Sequence, residues 1–210
     1  MIVVHHLNNS RSQRILWLLE ELGLDYEVKR YERDSNTMLA PAALKEVHPL
    51  GKSPVITDEG QTLAESGAIT DYLVERYGEG KLAPPLGTPE KLRYDYWLHY
   101  SEGSAMPLLV MKLLLDNFGL GDSSVAGQFV TPQIKLHFDY LESELSKNEW
   151  FVGEEFTAAD IQMSFPVEAV EAQAGLDASR PKLKAFLERI HTRPAYQRAL
   201  ERGGKYELLT

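Results

Sequence analysis

Ser10, Arg11, Ser12 and Arg14 stand together in "NNSRSQR", where an apolar β-branched run gives way to a helical pattern. Two hydroxyls and two guanidinium groups at that junction suit an anion, because the first amides of a helix lack acceptors and the helix dipole is positive there. A hydroxyl so placed can donate to a bound thiolate, drawing a thiol pKa down from about 8.5 without losing its own proton. Serine is also a favoured N-cap, so the competing reading is that Ser10 or Ser12 only satisfies backbone amides.

A second pair, Glu65 and Ser66, opens another helical run in "LAESGAI". Ser66 fits an N-cap, and Ile69 at the third helical position leaves no capping box. A ligand carboxylate can sit on the Ser66 hydroxyl and amide while Glu65 pairs with a ligand ammonium, a combination suited to the end of an amino acid. Pro54 stands just before Val55, Ile56 and Thr57. Having no amide hydrogen, it marks a strand edge, a strand start or a special peptide bond. In "FTAADI", Thr157 and Asp160 have capping-box spacing and are assigned to fixing a buried helix start. His5 and His6 would point to opposite faces of a strand, and no histidine pair has helical metal spacing with a carboxylate, so no metal site is expected. Tyr94, Tyr96, Trp97 and Tyr100 either line a hydrophobic ligand pocket or pack between domains, packing being the favoured reading.

The elements that must hold these groups follow from periodicity. "IVVHHL" predicts a buried strand, Ile15, Leu16, Leu18, Leu19 and Leu22 a helix stopped by Gly23, and Tyr26 with Val28 a second strand. Strand, helix and strand in that span make a βαβ unit with a right-handed crossover. An irregular helix around "MLAPAALKEV", a hairpin from "PVITD" to "TLA" and a helix over "SGAITDYLVERYG" complete a βαβ-ββα order. Glycine and proline then concentrate over residues 78–90, the candidate boundary, and everything beyond reads helical, with Gly103 and Pro107 as bend points in a long helix. The expected fold is α/β plus all-α, with domains over 1–79 and 90–210.

Composition narrows the chemistry. The chain has 210 residues, 43% of them hydrophobic, enough for one large core or two small ones without staples. With 31 acidic residues against 22 basic ones the net charge is -9, which argues against nucleic acid or an anionic membrane as partner. There is no cysteine, so thiol chemistry must be brought by a ligand. No export signal or bilayer-spanning run is visible, and a cytoplasmic location is the expectation.

Taken together, the βαβ-ββα order, "NNSRSQRILWLLEELGLDYE", "HPLGKSPVI", "LAESGAI" and "FTAADI" resemble a cytosolic glutathione S-transferase over essentially the whole chain, closest to serine-type bacterial and fungal members. The resemblance implies a thioredoxin-like amino-terminal domain, an all-helical carboxy-terminal domain and a homodimer. It implies glutathione as co-substrate, with Ser10 as the catalytic residue and Ser12 and Arg11 as alternates. Lys52 matches a glycyl-end contact, and Glu65 and Ser66 match the holders of the γ-glutamyl end. Pro54 matches a cis-proline that leaves the Ser53 main chain free for the cysteinyl backbone. A hydrophobic electrophile is expected against the helical domain at Tyr96, Tyr100 and Met106. Conjugation is the implied reaction, with glutathione-dependent peroxide reduction beside it. The alternative is a non-catalytic module of the same fold that binds a protein or a hydrophobic ligand.

Overall fold

The computed structural model describes residues 1–209, which form two compact units. The first begins with β1 (Ile2–Leu7), α1 (Ser12–Leu22), β2 (Tyr26–Tyr31), α2 (Ala43–Val47), β3 (Val55–Asp58), β4 (Gln61–Ala64) and α3 (Ser66–Tyr77). The sheet order is β2-β1-β3-β4, with β1 parallel to β2 and antiparallel to β3. This is the βαβ-ββα thioredoxin-like arrangement expected from the sequence. β1 is therefore an inner strand with neighbours on both sides, which is why its sequence is a nearly continuous apolar run.

Helix α1 carries apolar residues around most of its girth, and Ile15, Leu16, Leu18 and Leu19 are all fully buried. A helix so patterned needs cover on more than one face. It packs against α3 and, on another side, against a helix from the end of the chain described below. Gly23 ends it in the left-handed region, φ 67°, where the absence of a Cβ removes the steric penalty.

The second unit, Pro84–Arg189, is helical. It contains α4 (Pro89–Tyr100), α5 (Met106–Asn117), α6 (Val125–Lys147), α7 (Ala158–Ala174) and most of α8 (Pro181–His191). Between α4 and α5 the chain makes a π-helical turn over Ser101–Ala105. Gly103, one of the two expected bend points, lies in this turn, and Pro107 lies in the first turn of α5. Trp97 is the centre of the unit's aromatic packing, with ring centroids 4.8 Å from Phe151, 4.9 Å from Tyr96 and 5.2 Å from Tyr100. The Thr157–Asp160 capping box forms as the spacing predicts: the Thr157 amide donates to Asp160 Oδ2 at 2.8 Å, and the Phe151 amide donates to Oδ1 at 2.8 Å.

The last helix, α9 (Pro194–Gly203), continues the helical series in sequence but belongs to the first compact unit, where it covers α1. Trp17 of α1 meets Tyr196 edge-on with centroids 5.0 Å apart. Around that contact Arg193 pairs with Glu21 at 2.6 Å and Arg198 with Glu20 at 2.7 Å. A single 3-10 turn, Glu207–Leu209, follows.

Candidate functional site

The first functional group is built on the turn from β1 to α1. That turn is held from two sides. Arg33 donates to the carbonyls of Asn8 at 3.2 Å and Asn9 at 3.3 Å. From the other side Asn9, in the left-handed region at φ 49°, exchanges two 2.8 Å hydrogen bonds with the Glu207 side chain and amide. Ser10 follows Asn9 directly, so its position is fixed by partners far away in sequence.

The Ser10 hydroxyl lies 2.7 Å from the Leu7 carbonyl and 2.7 Å from Ser12 Oγ, and it accepts the Ser12 amide at 3.2 Å. Part of the capping reading is thus realised: Ser10 takes one amide at the start of α1, while Arg11 occupies the cap position with helical angles and no side-chain cap bond. Ser12 is the more deeply placed hydroxyl, fully buried, with Oγ 2.8 Å from His6 Nδ1. Arg11 is partly exposed. His5 points the opposite way from His6, its Nδ1 3.1 Å from the Tyr31 hydroxyl, as strand alternation requires. Burial pushes the His6 imidazole down to about 4, and Arg30 nearby acts in the same direction, so the ring is neutral near pH 7.

The second group is the start of α3. Ser66 is its first residue, not its cap; Glu65 takes the cap position and gives no side-chain cap bond. This corrects the expectation of Ser66 as N-cap. Glu65 adopts φ 70° and ψ 116°, a conformation costly for a residue with a Cβ. Its side chain is exposed, whereas Ser66 is buried and accepts a 2.9 Å hydrogen bond from Arg14 of α1. A buried guanidinium thus stands behind the Ser66 hydroxyl at the start of α3.

The third group precedes β3. The Ser53–Pro54 peptide bond is cis. The Ser53 hydroxyl donates to the His5 carbonyl at 2.9 Å and accepts the Leu7 amide at 3.3 Å. Among the described residues its main-chain N–H and C=O have no backbone partner. Pro54 is buried and Lys52 is exposed beside it.

Ser10 and Ser53 are therefore both fastened to the last residues of β1, and Ser66 is fastened to α1. Three serines remote in sequence gather within one unit. In the helical unit Tyr96 is 46% exposed, while Tyr100 and Met106 are buried and the Tyr100 hydroxyl lies 2.7 Å from His137 Nδ1. Sequence reasoning missed His6, Arg33 and the Asn9–Glu207 pair. Only the adjacency of two histidines gave any signal, and it was weighed as metal chemistry alone.

Residues 1–75 match the family described as "Glutathione S-transferase, N-terminal domain", and 128–194 match "Glutathione S-transferase, C-terminal domain". Glutathione S-transferase 3 of Schizosaccharomyces pombe is 38% identical, the alignment covering 96% of this chain and 88% of that protein. A crystal structure of a glutathione S-transferase from Actinobacillus pleuropneumoniae superposes with a TM-score of 0.90 at 38% identity, covering 99% of this chain and 94% of the other. A sphingomonad glutathione S-transferase complexed with glutathione has a TM-score of 0.79 at 27% identity, covering 96% and 98%.

Proposed function

Because the chain belongs to the glutathione S-transferase family and is a glutathione transferase, we propose that it binds the tripeptide along Lys52, Ser53, Glu65 and Ser66 and activates its thiol beside Ser10. The observation that carries this assignment is the convergence just described. Ser10 and Ser53 hang from the end of β1, and Arg14 of the adjoining helix holds Ser66.

The chemistry follows from the groups. The γ-glutamyl carboxylate accepts from the Ser66 hydroxyl and the first amides of α3. Arg14 donates to Ser66 Oγ from behind and holds that hydroxyl in place. Glu65, exposed at the mouth of the helix, meets the γ-glutamyl ammonium. The Ser53 main chain offers one donor and one acceptor to the cysteinyl residue, like one more strand. Lys52 reaches the glycyl end. With both ends fixed, the thiol rests near Ser10, whose hydroxyl donates to the sulfur as its proton leaves to solvent. The thiolate then attacks the electrophile, forming a carbon–sulfur bond as the leaving group departs with its electron pair. Rate comes from a lowered thiol pKa and from proximity.

The serine-type assignment, a hydrophobic electrophile met by the helical domain, peroxide reduction as a side activity, a role in detoxification, a cytoplasmic location and a homodimer belong to the same proposal. Of Tyr96, Tyr100 and Met106, Tyr96 has the most surface to offer an electrophile. The dimer is supported by exposed apolar side chains on α5 and α6, among them Leu113, Leu114, Phe129 and Leu136. No helix among the described residues is long and apolar enough to cross a membrane.

Ser10→Ala tests the assignment. Turnover of an aryl halide is expected to fall about 100-fold, the usual loss on removing one donor to a developing anion, with glutathione affinity nearly unchanged. Unchanged turnover would move the role to Ser12 or Arg11.

A further inference from the structure

Ser10 is the outer end of a buried chain of hydrogen bonds. Its hydroxyl is 2.7 Å from Ser12 Oγ, and Ser12 Oγ is 2.8 Å from His6 Nδ1. The His6 ring also bonds to the main chain of Gly203 at the end of α9. The Leu7 carbonyl can only accept, so it takes the single hydrogen of Ser10. Ser10 Oγ therefore accepts from the Ser12 hydroxyl, which the His6 ring holds in turn. The Ser10 hydrogen points away from Ser12, so a thiolate can take it from the Leu7 carbonyl while Ser12 still holds the Ser10 oxygen.

The approach to Gly203 is close. A Cβ there would lie 2.6 Å from Gln13 Oε1 and 3.4 Å from His6 Cε1, so the backbone of α9 meets the ring and α1 because this residue has no side chain. The charged neighbour on the ring is Arg30 of β2, paired in register with His6. Neither His6 nor Ser12 touches solvent enough for water to replace these bonds, since they are 4% and 0% exposed.

We propose that His6 and Ser12 are positioning residues for Ser10: through the ring and the second hydroxyl, the end of α9 fixes the rotamer from which Ser10 donates to the glutathione thiolate. Without Ser12 Oγ, the Ser10 hydroxyl keeps the Leu7 carbonyl and the Ser12 amide but loses its side-chain partner, and it is less well aimed at sulfur. Hydroxyl networks held in low dielectric respond to the loss of one member in this way. The inference rests on Ser10 being the thiol-facing residue.

The test is the ionisation of enzyme-bound glutathione, followed by thiolate ultraviolet absorbance and by the pH profile of conjugation of an aryl halide. Ser12→Ala and His6→Leu are expected to raise the bound thiol pKa by about one unit and to lower kcat about tenfold at neutral pH, with the KM for glutathione held. The deficit should shrink at pH values above the shifted pKa, where the thiol ionises unaided. A purely structural lesion would instead lower activity at every pH. His6→Asn, which offers a polar amide near the place of Nδ1 to hold Ser12, should restore most of the shift. If His6→Leu fails to fold, Ser12→Ala decides. Superimposable thiol titrations for Ser12→Ala and wild type would overturn the relay. If Ser10→Ala also leaves the titration unchanged, the fault lies in the site assignment; if Ser10→Ala alone shifts it, only the relay fails.

Discussion

The guanidinium of Arg14 donates to the hydroxyl of Ser66 at 2.9 Å, joining the first helix to the start of the third across 52 residues of chain. Both side chains are buried, so the bond is not weakened by competing water. Arg14→Lys keeps the charge but loses the planar fork that holds the serine oxygen. The KM for glutathione should rise about tenfold with a smaller change in kcat, the usual cost of one charge-assisted hydrogen bond. Ser66→Ala should behave alike, and the double variant should be little worse than either single one. Additive losses in a double-mutant cycle would show that the two residues act separately.

Glu65 holds a backbone conformation that glycine would adopt more cheaply, at φ 70° and ψ 116°. Glu65→Gly should raise the unfolding free energy by about 1 kcal/mol while weakening glutathione binding. Glu65→Gln, which keeps the Cβ and loses the charge, should weaken binding without the gain. Urea unfolding midpoints beside glutathione titrations separate the two effects. A glycine variant no more stable than wild type would mean that Glu65 is not strained.

The buried His6 makes a signed contribution to acid stability. Its folded pKa is pushed down to about 4 by burial from 6.5. Between those values the unfolded chain takes up a proton that the folded chain refuses, so stability is full above pH 6.5 and is lost toward pH 4. Asp160, raised to about 6 by burial, works in the opposite direction, because the folded chain binds its proton first as pH falls. His6→Asn removes the first contribution and leaves the second. The variant should lose less stability than wild type between neutral pH and pH near 4.5, by roughly 2 kcal/mol, measured as urea midpoints. Parallel acid limbs would refute the assignment.

Phe129 on α6 is 64% exposed, and Val125 and Leu136 of the same helix are exposed as well. If that surface meets a second copy of the chain, Phe129→Asp should lower the solution mass toward that of one chain, because an unpaired charge in an apolar contact is costly. Light scattering at micromolar concentration reads the outcome. A variant as dimeric as wild type would place the contact elsewhere.

Much of this protein was determined by the sequence alone. The alternating periods of "IVVHHL" and "ILWLLEEL", the glycine stop and the proline before "VIT" set the βαβ-ββα order, and "FTAADI" set its own capping box, because these depend on neighbours within a few residues. The candidate residues Ser10, Glu65 and Ser66 stood out for the same reason, each sitting where one element ends and another begins, whereas Ser53 came only from the family resemblance. Only the tertiary structure decided which serine is outer and which inner, since Ser10 and Ser12 look alike until His6 is seen to hold Ser12. Periodicity likewise shows that α9 is a helix but not what it covers. Its contact with α1 and His6 joins residues nearly 200 positions apart in the chain, and hydrogen bonds over such separations leave no pattern in a single sequence.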